Sequence, residues 1–182
     1  MNIGRRSLLS FGFATVGASV VGGQALADPL SAAQRTLSFL NLHTGEAVKT
    51  TYFEAGGYVT DALSAVNKVL RDFRTGDSHP MDTRLLDTLS ALSAKLGVTA
   101  PFEVISGYRS PKTNARLSAA SGQVAKRSLH MDGKAIDIRL PGVELKHLRQ
   151  AAIDLGHGGV GYYPASNFVH IDVGRVRRWQ GT

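Results

Sequence analysis

A chain of 182 residues with 43% hydrophobic and 19% charged side chains can fold as one domain around a single core, and its composition is neither that of a disordered chain nor that of a fibrous one. The absence of cysteine removes disulfides, thiolate metal ligands and a cysteine nucleophile together. A formal charge of +7 favours anionic partners, and nucleic acid ranks last among them, because the basic residues are scattered without an aromatic stacking pattern.

Arg5 and Arg6 precede an uncharged stretch, Ser7 to Ala27, that ends in Ala25-Leu26-Ala27, the small-x-small pattern of a signal peptidase site. Residues 1–27 therefore read as a cleaved export signal. The alternative is a membrane anchor, but a span needs ~20 predominantly apolar residues, and Gly12, Gly17, Gly22, Gly23 and several serines interrupt this one, so no stable membrane insertion is expected. The segment "GRRSLLS" resembles a twin-arginine (Tat) signal, with Leu8 and Ser10 where phenylalanine and lysine are common; an ordinary Sec signal is the alternative. Tat export would let the domain fold, and acquire a metal, before leaving the cytoplasm. Loss of Arg5 and Arg6 with the leader takes the charge from +7 to +5.

Residues 28–35 read as a linker and 36–182 as the domain. Thr36 to Phe53 carries two β-rich runs around "HTGE", where Gly45 supplies the turn of a hairpin. Thr60 is expected to cap a helix bearing Leu63, Val66, Leu70 and Phe73 at helical spacing. Asp82 opens a second, with Leu85, Leu86, Leu89, Leu92 and Leu96 on one face, and Gly97 stops it. Strand and helix signals then alternate: "FEVIS", a helix after Pro111, a strand around Ile136, a helix from Glu144 to Leu155, then "GGVGYY" and "NFVHIDV". The last two runs are joined by only a few residues around Pro164, so the pattern predicts a single α+β domain with a mostly antiparallel sheet flanked by helices.

Side chains alternate across a strand. Ala135 and Asp137 therefore share one face while Ile136, Ile138 and Leu140 take the other; in the last run Phe168, His170 and Asp172 oppose Val169, Ile171 and Val173. A lone histidine is more often a packed residue than a ligand, but His130, Asp137 and His170 on neighbouring strands reverse those odds. Imidazole and carboxylate suit zinc (Zn2+), which in catalytic sites keeps three protein ligands and one open position. These three residues are the expected ligands, and Gly133 lets the chain turn between the first two.

"SLHMDGKAID" with "NFVHID" resembles the S-x-H-x-x-G-x-A-x-D and late-histidine signature of zinc peptidases of the D-alanyl-D-alanine carboxypeptidase and hedgehog-like superfamily. "LNLHTGE", "SGYRSPKTN" and "GGVGYYPASNFVHIDVG" with Arg178-Trp179 are similar to the YcbK-like murein endopeptidases, over essentially the whole mature chain. The resemblance implies zinc on His130, Asp137 and His170, and a substrate or transition-state contact for Arg109. A guanidinium fork matches a carboxylate or a developing oxyanion.

Many members of that superfamily carry an acid or histidine three residues before the last ligand, where this chain has Asn167, which cannot accept a proton. Asp172 is the nearest acidic candidate, either as the base or as a partner that orients a ligand histidine. Ser128, Tyr162 and Tyr163 are candidates for lining the site, and His157 for a turn residue. The family implies hydrolysis of peptide cross-links between peptidoglycan stem peptides, either diaminopimelate to diaminopimelate or D-alanine to diaminopimelate, in the periplasm. A D,D-carboxypeptidase or dipeptidase trimming free ends, and a non-catalytic wall-binding module, are the competing readings.

Overall fold

The computed structural model describes residues 1, 33–121 and 124–181, so the export signal read over 1–27 lies outside the described residues apart from Met1. No helix among the described residues is long and apolar enough to cross a membrane.

The expected hairpin is β1 (Gln34–Asn41) and β2 (Ala47–Glu54), paired antiparallel. Gly45 turns it at φ 72°, a region that favours glycine, and donates its N–H to the Asn41 carbonyl at 2.9 Å. The strand starts inside the segment read as a linker: Gln34 and Arg35 already pair with Glu54 and Phe53. A short β3 (Gly57–Tyr58), not anticipated from the sequence, extends the hairpin.

In α1 (Thr60–Val69), Val59 holds the cap position and no side chain caps the helix, so Thr60 is its first residue rather than its cap. In α2 (Thr83–Leu96), Asp82 accepts from the Arg84 N–H at 3.0 Å and Gly97 closes the helix at φ 66°, as expected. There follow β4 (Phe102–Ser106), α3 (Pro111–Ser121), β5 (Ala135–Arg139), α4 (Leu145–Leu155), β6 (Gly159–Tyr163), β7 (Phe168–Asp172) and β8 (Arg177–Gln180), the last a second unanticipated strand.

The strands form one eight-stranded sheet in the order β3-β2-β1-β4-β5-β7-β6-β8. Only β1 with β4 and β6 with β8 run parallel; the other pairings are antiparallel. Helices α1, α2 and α4 pack against the sheet. They share a core with Phe39, Ile136, Ile138, Val169 and Ile171. Each such side chain contributes about 1.5–3 kcal/mol on burial. A one-residue slip of β5 would bring Asp137 into that core in place of the isoleucines, so the apolar face fixes the register and, with it, where Asp137 points.

Candidate metal centre

A one-turn 3-10 helix, Leu129–Asp132, leads into β5. Ser128 caps it by accepting the His130 N–H at 3.4 Å. Gly133 ends it at φ 65°, where an added Cβ would strike the Pro80 carbonyl, so the position demands glycine twice over. The turn is stitched to the segment after β4 in both directions: Arg109 N–H donates to the His130 carbonyl at 3.1 Å, and the His130 ring meets the Gly107 carbonyl at 2.7 Å. Asp72 secures that segment, accepting from the Ser110 N–H at 2.9 Å and its hydroxyl at 2.7 Å. Burial would raise the Asp72 carboxyl, but hydrogen bonds from Thr113, Ser110 and the Arg74 backbone outweigh it and hold it at about 2.

The β5–β7 register sets Asp137 directly opposite His170 and Ala135 opposite Asp172. Asp137 Oδ1 and His170 Nδ1 lie 2.8 Å apart; His130 Nε2 stands 3.3 Å from the former and 3.2 Å from the latter. Zinc with bonds of about 2.0–2.1 Å would place tetrahedral ligand atoms about 3.3 Å apart, close to this triangle.

The histidines are oriented for ligation by their second nitrogens. A carbonyl only accepts, so His130 Nδ1 carries the hydrogen facing Gly107 and Nε2 is left with its lone pair inward. His170 Nε2 donates to Asp172 Oδ2 at 3.0 Å, which turns Nδ1 to the same point. Asp172 is fully buried and takes five hydrogen bonds: from His170, from both Arg177 Nη atoms at 2.9 and 2.7 Å, and from the Gly159 and Gly174 N–H groups at 3.2 and 2.9 Å.

Electrostatics match a cation site. Burial raises Asp137, but the two histidines outweigh it and hold its carboxyl far below the usual range; Asp172 is held low in the same way by His170 and Arg177. Burial lowers the His130 imidazole. Burial would also lower His170, yet its hydrogen bonds to Asp137 and Asp172 push it up to about 9. Without a metal, a proton on His170 fills the place a metal would take.

Above these atoms opens a cavity of about 460 Å3. Arg109, largely buried, reaches it beside Asp137, with Nη2 3.5 Å from Oδ2 and 3.3 Å from Ser106 Oγ. Ser128 and Tyr163 line it as expected. Tyr162 does not: it packs against the core with the Arg149 guanidinium 5.2 Å from its ring. Adjacent strand residues face opposite ways, so the two tyrosines could never have shared the wall. Asn167 is exposed in the turn before β7 at φ 54°, a conformation asparagine tolerates better than most residues, and it lies off the cavity wall. His157 is exposed, 3.3 Å from Thr88 Oγ1.

Phe168 lines the wall on the His170 face expected of it, and Arg127, Arg177 and Trp179 line it unanticipated from the sequence. Trp179 donates Nε1–H to the Tyr163 hydroxyl at 3.0 Å, and its ring centre is 5.2 Å from that of His170. The available signal was "GGVG": a Cβ on Gly161 would come within 2.6 Å of the indole, and one on Gly159 would strike both Arg177 and Asp172.

Fold and site together present the donor set of a metallohydrolase, two imidazoles and a carboxylate that could hold a metal ion beneath a substrate-sized cavity. A family profile described as peptidoglycan L,D-endopeptidase MepK matches residues 30–179. Peptidoglycan L,D-endopeptidase MepK of Escherichia coli (strain K12) is 43% identical over 175 residues, 96% of each chain. Probable peptidoglycan L,D-endopeptidase MepK of Haemophilus influenzae is 41% identical over 178 residues, 97% of this chain and 96% of its own. No solved structure matches the chain significantly. The chain belongs to the peptidoglycan L,D-endopeptidase MepK family of peptidases.

Proposed function

We propose that this chain is a zinc-dependent endopeptidase that hydrolyses peptidoglycan cross-links joining the L-centre of one diaminopimelate to the D-centre of another. The observation that carries the reading is the convergence of His130 Nε2, Asp137 Oδ1 and His170 Nδ1 beneath an open cavity, with both tautomers set by partners outside the triangle. The relatives' names supply the stereochemistry: an L,D bond fits the diaminopimelate pair, whereas D-alanine to diaminopimelate is a D,D bond. Such a substrate calls for export, consistent with a Tat-like leader over residues 1–27 and a periplasmic site of action.

His130, Asp137 and His170 would hold the zinc, which when bound supplies Lewis-acid polarisation and a more acidic water. Arg109 fixes the second oxygen of Asp137 and sets a cation at the cavity floor, where charge on a carbonyl oxygen would develop. Asp172 acts as the orienting partner of His170 rather than as a base, because its oxygens are filled by donors and buried away from the cavity. Ser128 keeps the His130 turn closed. Tyr163 accepts from Trp179 and keeps its own hydroxyl proton for substrate. Asn167 stands off the cavity wall in a turn conformation that asparagine tolerates, which favours a structural reading of its identity over a sign of lost catalysis.

The test is digestion of purified cross-linked muropeptides by the mature protein, with and without chelator, beside His130→Ala. Dimers are expected to become monomers in a chelator-sensitive reaction that the substitution abolishes. Undiminished cleavage by His130→Ala, or wild type free of bound metal, overturns the reading; trimming of free ends alone would replace it with a carboxypeptidase.

A further inference from the structure

Three arginines line the cavity, and two already answer to a carboxylate. Arg109 lies 3.5 Å from Asp137 Oδ2, and Arg177 grips both oxygens of Asp172. Arg127 differs: it is exposed on the cavity wall, and no carboxylate among the described residues pairs with it. Its backbone is nonetheless well placed, since it immediately precedes Ser128, the cap of the turn that presents His130. A fixed root and an uncommitted guanidinium, at the rim of a cavity whose own carboxylates are paired, favour an anionic group on whatever enters.

We propose that Arg127 is a specificity residue that binds the substrate carboxylate on the leaving side of the scissile bond. The assignment rests on the L,D-endopeptidase reading above. In a bond from the L-centre of one diaminopimelate to the D-centre of another, the carbon bearing the scissile nitrogen also bears a carboxylate. Every such substrate therefore carries an anion next to the bond to be cut. A guanidinium takes a carboxylate bidentately, which orients the group as well as attracting it. The aromatic wall of Phe168 and Trp179 offers area but no selection for charge, so the choice between an acid and its neutral amide at that carbon falls to Arg127.

The experiment compares the diaminopimelate-linked dimer with the same dimer amidated at that one carboxylate, using metal-loaded wild type, Arg127→Gln and Arg127→Lys. Amidation is expected to raise the wild-type KM by about ten- to a hundredfold, the size of a hydrogen bond to a charged group, with kcat unchanged. Arg127→Gln should show the raised KM on the native dimer and no further loss on the amidated one, with Arg127→Lys between, and metal content should be equal in all three. Arg127→Gln discriminating between the dimers as strongly as wild type, or a wild type that does not discriminate, overturns the assignment. A wild type that cuts neither dimer overturns the endopeptidase reading and Arg127's role with it.

Discussion

Two ionic clusters, each with a buried charge, stand at opposite ends of the same sheet, and they are built on opposite balances. At the β1–β2–β3 end, Asp87 of α2 accepts from Arg35 at 2.7 Å, Tyr52 at 2.9 Å and Tyr58 at 2.7 Å, while the guanidinium lies 3.6 Å from the Phe53 ring centre. Donors crowd one acceptor, aromatic rings close over them, and nothing is left to bind. At the β5–β7–β6–β8 end Asp172 has its donors, but Asp137 Oδ1, His130 Nε2 and His170 Nδ1 converge on one point with Arg109 the nearest guanidinium. A cation would complete that triangle. Buried charge thus serves as a strut where donors surround one acceptor, and offers a place for a cation where acceptor atoms converge.

Separating the two roles is the sharpest way to break this comparison. Loss of metal and activity in His130→Ala is the largest expected effect. Next comes Asp87→Ala, which leaves Arg35 buried without its partner and should cost about 3–5 kcal/mol of stability in a urea titration. Turnover per folded molecule should stay at the wild-type value, and a drop there would mean that the far cluster shapes the site. Asp172→Asn should weaken zinc binding about 10- to 100-fold, with kcat recovered at saturating zinc. A kcat that stays low at full zinc occupancy would return Asp172 to the role of proton acceptor.

The smallest effect is in pH. His170 in the metal-free protein is raised to about 9 from 6.5, so its contribution to stability is fully present below pH 6.5 and lost as pH rises through about 9. Denaturation of the metal-free protein should therefore become easier over that interval, and the trend should flatten in the zinc-loaded form. An identical slope in both forms would contradict a proton held in the metal's place.

Strand periodicity made much of this legible. Asp137 and His170 turn away from the core because one face of each strand is apolar, and a two-residue period leaves no other choice of direction. The same rule, applied to β6, would have turned Tyr162 inward to the core. β8 escaped because "RRWQ" lacks an apolar alternation and pairs with β6 in parallel, a partnership with no local sign. Nor could the sequence show which nitrogen of His130 faces Asp137 and His170, since that depends on a carbonyl 23 residues away. Spacing alone marks Asn167 as the position of a catalytic acid or base, but spacing does not show its left-handed backbone or its place off the cavity wall.

Trp179 is the only tryptophan in the chain, and the glycine at 161 lets its indole settle beside the His170 ring on the cavity wall. Tryptophan emission, excited on the red side of the absorption of the five tyrosines, consequently originates at the site itself. Metal loading and peptide entry can each be followed as quenching or a spectral shift of that emission, with no dye attached and no second tryptophan to dilute the signal.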